Sequence, residues 1–482
     1  MEKFLYLIRT AIFVVISGVL LGTAISQYGM VAGVGMMALP IGILVVGWMF
    51  STPQVGIVLS IVLGFISNGM ARYVEGVPWG LLVDISLLIA WLALLFQNFR
   101  FTNWSPLRHG AMIMTTVWFG LIVVEIINPE GNGPEAWFYA MRTVGFYQLL
   151  LFGLIFMCWR DVKYLDFFLK ITFWLSIIGS VWGLRQNIFG VDAAEYRWLY
   201  VGGYAAQHVL FGVLRVFSFY SDAGQFGASQ AMFAIMGGLL AMSPELKKKE
   251  RIFYGIAGLL SLIGFGISGT RGAIAVIGAG AIMYIFLSKN IKIMVVGGIV
   301  FFGAYSFLKF TTILQNVEQI RRMRTSLNSD DASLLVRLDN QKKFARYLSS
   351  RPIGGGVGTA GFWGSKFGPN KVPAQIATDS HYVRIWAETG IVGICLHLFM
   401  YGYFLGQGGY IIWHLRNMNL KIKIAAIYCG TAGVLAANYG NQITSQTPTG
   451  ILISIGIPLI MMAPLFEKQL EERAKSDDSI AS

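Results

Sequence analysis

Apolar residues run in long unbroken stretches along this chain, separated by short polar segments rich in lysine and arginine. A helix needs roughly 20 apolar residues to cross the hydrocarbon of a bilayer. About fourteen stretches reach or approach that length. They lie near 8–26, 29–49, 53–68, 79–97, 110–128, 143–159, 164–186, 223–243, 252–268, 271–288, 292–308, 384–409, 424–439 and 447–465. None alternates with period two, so a strand barrel is excluded. The first follows Lys3 and Arg9, as a secretory signal would, but a second apolar run follows at once. It is read as a retained span. The third, sixth and thirteenth are short and mark the weakest part of the pattern.

The pattern predicts an all-α polytopic membrane bundle. Its parts are eleven spans over 1–308, a long outer-face loop over 309–383, three spans over 384–465 and a cytoplasmic tail over 466–482. Within the loop, 331–350 reads as an amphipathic helix with Leu334, Leu335, Leu338, Phe344 and Leu348 on one face. Pro352 and the glycines after it end that helix.

Composition agrees with lipid as the solvent. The chain is 55% hydrophobic and 13% charged, against roughly a quarter charged in soluble domains. Cys158, Cys395 and Cys429 all sit in apolar runs without the spacing of a metal site or a disulfide framework. Short basic loops stay in the cytoplasm and so fix the orientation. Arg100 with Arg108, Arg160 with Lys163, LKKKER (246–251), Lys289 with Lys292, and LRNMNLKIK (415–423) all fall on one side, with both termini. The 309–383 loop is basic too, but loops longer than roughly 60 residues cross regardless of charge. Its arginines and lysines call for an anionic partner, either a ligand or lipid headgroups.

Candidate chemistry gathers at the outer ends of the spans. Arg271 occupies a turn of almost no length, ISGTRGAIAV, where an arginine costs about 2.5–3.5 kcal/mol on insertion scales. Arg215 precedes the polar group Ser218, Ser221, Asp222 and Gln225, and Arg384 follows Asp379, Ser380, His381 and Tyr382. Guanidiniums bind phosphate oxygens in bidentate fashion, so three converging on one chamber would suit a diphosphate. Plainer readings stand beside this: Arg271 reaching headgroup phosphates, and Ser221 or Asp222, or Asp379 with Ser380, capping a helix, which leaves Arg215 unexplained. His397 and His414 read as structural, and His109 and His208 belong to no constellation. Acidic residues are sparse on this face, and neither a divalent metal nor another cofactor is expected.

Over roughly 205–395 these elements resemble the family of O-antigen ligases and polymerases, bacterial envelope glycosyltransferases. The resemblance rests on Arg215 with FYSDAGQFG, the turn from Ser268 to Gly272, and the long outer loop. It rests also on Arg337 followed by Pro352, Gly354, Gly356 and Gly358, and on Tyr382, Glu388 and Gly390. It implies a GT-C-like fold in the bacterial inner membrane, with the active site on the periplasmic side. It further implies transfer of a glycan from a polyprenyl-diphosphate donor to a glycan acceptor, among membrane lipids and with a chain-length regulator as a possible partner; no nucleic acid is involved. Arg215, Arg271, Asp379 and His381 are then the catalytic candidates, and Arg337, Tyr382, Arg384, Asp222 and Ser268 would bind substrate. In this alignment Asp379 stands where ligases carry a histidine, and His381 lies two positions later. On a helix that shift turns a side chain by roughly 200°, which favours a polymerase-like relative over a ligase. A lipid-linked-glycan flippase or transporter, and a non-catalytic scaffold, are the rival classes.

Overall fold

A computed structural model describes residues 17–20, 22–23, 25–27, 39–74, 76–97, 102–210, 212–289, 291–313, 315, 321, 324 and 332–481. The chain divides into two compact units, one of residues 1–56 with 88–102, the other of 57–87 with 103–482. In the first, Phe50 and Phe96 pack at 6.4 Å between ring centroids, and the Gln97 side-chain amide donates to the Phe50 carbonyl. Much of the first expected span, 8–26, and of the second, 29–49, lies outside the described residues, as does Arg100.

The principal helices are α1 (Leu39–Ser51), α2 (Gln54–Tyr73), α3 (Trp79–Phe96), α4 (Gly110–Val124), α5 (Pro134–Cys158), α6 (Lys163–Phe189), α7 (Ala223–Met242), α8 (Lys248–Ser268), α9 (Ile274–Ser288) and α10 (Ile291–Phe310). They continue as α11 (Ala332–Leu348), α12 (His381–His414), α13 (Met418–Ala437), α14 (Thr449–Met461) and α15 (Ala463–Ala481). Among the described residues, ten helices are long and apolar enough to cross a membrane. The count is eleven if Thr449–Met461 and Ala463–Ser476, bent by 55° at their junction, form one span. The protein is an all-α, multi-pass membrane protein.

Where helix and apolar run differ, charge burial explains it. The sixth run, read from 143, belongs to a helix that starts at Pro134 and passes through a π-helical turn at Arg142–Phe146. Arg142 makes the run look terminated, yet its Nη2 lies 2.6 Å from Asp84 on α3, with both side chains buried. An arginine so paired can stay inside a helix that hydropathy alone would cut short. The amphipathic helix forms as α11, but its apolar face is only half used. Phe344 and Leu348 pack with Ala360 and Ala387, while Leu335 and Leu338 are exposed.

The expected grouping of the basic loops has a structural counterpart. Asn419 donates to the Glu245 carbonyl at 3.0 Å, Glu467 accepts from the Arg416 and Asn417 backbone, and Arg473 pairs with Asp161 at 3.1 Å. The loops around 160, 246 and 416 therefore meet the tail at one end of the bundle.

The largest surprise is α12. A continuous helix would separate His381 from His397 by about 24 Å at 1.5 Å per residue, yet their Nε2 atoms are 3.2 Å apart. The chain breaks at Gly390, where φ is 64° and ψ is −163°. The stretch expected as one straight span from 384 is therefore two helices folded back on each other, 381–389 and 391–414. The polar residues His381, Tyr382 and Arg384 therefore belong to a separate short helix.

Candidate functional site

At the end opposite the basic loops, the start of α7, the turn between α8 and α9 and the start of α12 meet one uncharged segment, NYGNQITSQTP (438–448), which joins α13 to α14. Asn438 organises it, accepting from the Ile443 and Thr444 backbone and donating to Thr444. Its carbonyl takes the His381 backbone N–H at 2.9 Å. Gln442 donates to Thr378, Gln446 accepts from Ser221 at 2.9 Å, and Gln225 donates to Gln446 and Thr449. Sequence reasoning missed this segment because it weighed charge; eleven residues without an ionisable group other than Tyr439 between two apolar runs, two of them glycine or proline, was the available signal.

Arg215 and the Arg271 turn come together. Arg215 donates to Thr270 Oγ at 3.2 Å, and Thr270 in turn donates to the Ala223 carbonyl at the start of α7. Gly269 takes the left-handed conformation that ends α8, and Arg271 opens the next turn. A side chain at Gly272 would meet Asn441 Nδ2 at 2.8 Å, so the turn sits directly on the neutral segment. Ser268 is not turned outward: it is buried, donating to Phe265 and accepting from the Thr270 backbone. Asp222 is the N-cap of α7, accepting from Gln225 N at 3.0 Å.

A second group forms on the other flank. Arg337, from α11, lies 3.6 Å from the carboxylate of half-exposed Asp379, and its Nη1 approaches Gly440. Arg384 is buried, bonded to Glu388 at 3.3 Å and Gln442 at 3.2 Å. The N-cap of α12 is Ser380, not Asp379. Tyr382 donates to the Leu435 carbonyl at 2.6 Å and fixes the short helix against α13. His381 is buried and faces away from Asp379's solvent-exposed side, toward His397. Asp379 and His381 thus flank the same helix start but differ in environment.

Glu388 was passed over as a site residue, and the structure gives it a clear task. Fully buried, it accepts from Arg384 and from the Gly358 N–H at 3.2 Å. Gly355 and Gly356 donate to the Ala387 and Glu388 carbonyls, and Val392 donates to the Pro352 carbonyl. The PIGGGVG loop is therefore a clasp around the Gly390 break. Gly354, Gly356 and Gly358 all have positive φ, which glycine adopts without strain.

Arg72, near the end of α2, was also passed over. It is buried between Trp198 and Phe217, 4.4 Å from each ring, and donates to the Ser218 and Tyr220 carbonyls. It staples the segment between Arg215 and Asp222. Lysine lacks the fork needed for both carbonyls, and bonds to a charged group contribute about 1.5–3 kcal/mol each. Arg72→Lys is expected to quicken proteolytic cleavage within 209–222 while the rest of the digestion pattern stays as in the unmodified protein.

Residues 256–398 match the family model described as O-antigen ligase. The chain thus carries a stretch of O-antigen ligase type. No curated protein sequence is similar to the chain. The ligase-family stretch runs from within α8 to just past the Gly390 break, taking in Arg271, Arg337, Asp379, His381 and the glycine clasp. Arg215 and Asp222 lie before it and reach it through Thr270. Among the described residues, no three His, Cys, Asp or Glu side chains are placed to hold a metal ion. The protein is thus a multi-pass membrane protein with a ligase- and polymerase-type domain of surface polysaccharide assembly.

Proposed function

We propose that the protein extends a surface polysaccharide by transferring a polyprenyl-diphosphate-linked glycan onto a second glycan, in the outer half of the bacterial inner membrane. The observation that carries this reading is the hydrogen bond from Arg215 to Thr270, which sets two arginine-bearing corners side by side against the 438–448 segment. Cations fixed in a water-poor site stabilise charge as it develops on a leaving group, here the departing diphosphate. Arg337, with Asp379, borders the same segment and would receive the acceptor side. The acceptor hydroxyl attacks the anomeric carbon, the glycosyl–phosphate bond breaks, and Asp379 or His381 takes the hydroxyl proton. The polyprenyl tail would lie along the exposed aromatic and aliphatic faces of the spans.

Ligase and polymerase differ only in the acceptor. The test supplies membranes containing the protein with labelled polyprenyl-diphosphate-linked repeat units and follows product length. A polymerase lengthens the lipid-linked chain without any other acceptor, and chelators leave the rate unchanged. Label appearing only on an added lipid core or protein would make the enzyme a ligase. Label that crosses the membrane at its original length would make the protein a flippase.

A further inference from the structure

The reaction proposed above releases a proton, and the structure offers an unusual place to put it. His381 and His397 come from opposite arms of the broken α12, with Nε2 atoms 3.2 Å apart. A contact of that kind holds one proton between two nitrogens: one ring donates, the other accepts. Both rings are almost fully buried, and neither Nδ1 has a partner among the described residues. Two orphaned buried ring nitrogens are costly unless a water or ligand group serves them.

The space for such a group exists. Both rings line a cavity of about 20 Å³ with Tyr147, Gln148, Tyr401, Ser445, Gln446 and Ser454. That is room for one water, which needs about 10–15 Å³ and two to four polar partners. Its wall includes Ser445 and Gln446 of the neutral segment, whose opposite side meets Ser221 and the Arg271 turn. His397 is enclosed by Trp118 and Tyr401, with ring centroids at 4.7 and 4.9 Å. Buried Arg384, one turn along the same short helix from His381, disfavours a second positive charge there, so His397 is the better place for the charge.

We propose that His381 and His397 form a proton-bridged pair that drains the acceptor's proton through a water in this cavity, with His397 as the positioning and storage residue. The acceptor O–H breaks as its proton passes to the water, and the water gives one of its own to His381 Nδ1. His381 Nε2–H then moves to His397 Nε2, leaving an imidazolium at His397 and a neutral His381. Asp379, exposed and beside Arg337, then orients the acceptor hydroxyl.

The proposal rests on the transferase reading, and its test separates the two. In membranes carrying the polyprenyl-diphosphate-linked glycan, His397→Gln keeps an amide near the Nε2 position but cannot store a proton. It is expected to lower kcat at least tenfold with the donor KM unchanged. The cavity left by His397→Ala should admit added imidazole and recover turnover, which a purely structural role would not allow. Nitrogen-15 NMR of the full chain in nanodiscs should show coupling across the Nε2–H···Nε2 bridge, whatever the activity. Full turnover in His397→Gln would overturn the proposal, as would loss without imidazole recovery in His397→Ala. Loss of transfer in Asp379→Asn alone, with both His397 variants active, would return the proton to Asp379. If Arg271→Ala retains full activity while the histidine variants lose it, the diphosphate reading fails and the histidine pair stands.

Discussion

Arg271→Ala is expected to lower polymer formation by about two to three orders of magnitude, the usual effect of removing one group that stabilises transition-state charge. Protein abundance in the membrane should stay normal, because other contacts hold the turn. Thr270 bonds the Ala223 carbonyl, Gly269 supplies the left-handed residue, and Gly272 rests on Asn441. Arg271→Lys should recover little, since an ammonium presents a point charge where two parallel bonds to phosphate oxygens are wanted. The measurement is polysaccharide chain length in a strain whose own copy is deleted, with the protein quantified in the same membranes. Full-length polymer from both variants would remove Arg271 from the site.

Gly390→Ala should act through the fold instead. At φ 64° a β-carbon is strained, and the position it would occupy overlaps the Pro352 carbonyl oxygen and the Gly354 nitrogen. Those are backbone atoms of the clasp, so no side chain can swing aside to make room. With ψ at −163° the backbone lies in a region essentially reserved for glycine, which costs other residues about 1–3 kcal/mol, and displacing the clasp also breaks the bonds from Gly355, Gly356 and Val392. The expected result is loss of activity together with a lowered thermal midpoint of the detergent-solubilised protein. Gly402→Ala, in the same helix with nothing near its missing side chain, is the matched control. An unchanged midpoint in Gly390→Ala would show that the clasp is not what holds the two arms together.

The spans were legible because lipid imposes one demand, continuous apolar helix, that local composition meets directly. Even the short third and thirteenth runs appear as α2 and α13. The capping role of Asp222 was legible for the same local reason. Sequence could not show the reversal at Gly390. A glycine inside an apolar run is ordinary, and its conformation is set by a loop beginning some forty residues earlier, at Pro352. Once that turn is hidden, so is the meeting of His381 with His397, two residues that look like one solvent-marking histidine and one structural one. Arg142 misled for a related reason, its partner Asp84 lying 58 positions away on another helix. The arginine corners were recognised singly, but what joins them is amide and hydroxyl chemistry, which charge-based reading passes over.

That joining segment has a further consequence. Between Asn438 and Pro448 the chain contains no aspartate, glutamate, lysine, arginine or histidine. A wall built from dipoles cannot neutralise the cations around it, nor change its own charge with the acidity of the surroundings. The wall therefore adds no counter-charge that an approaching anion would have to displace, and its own contribution should hold steady across the pH swings an envelope surface meets.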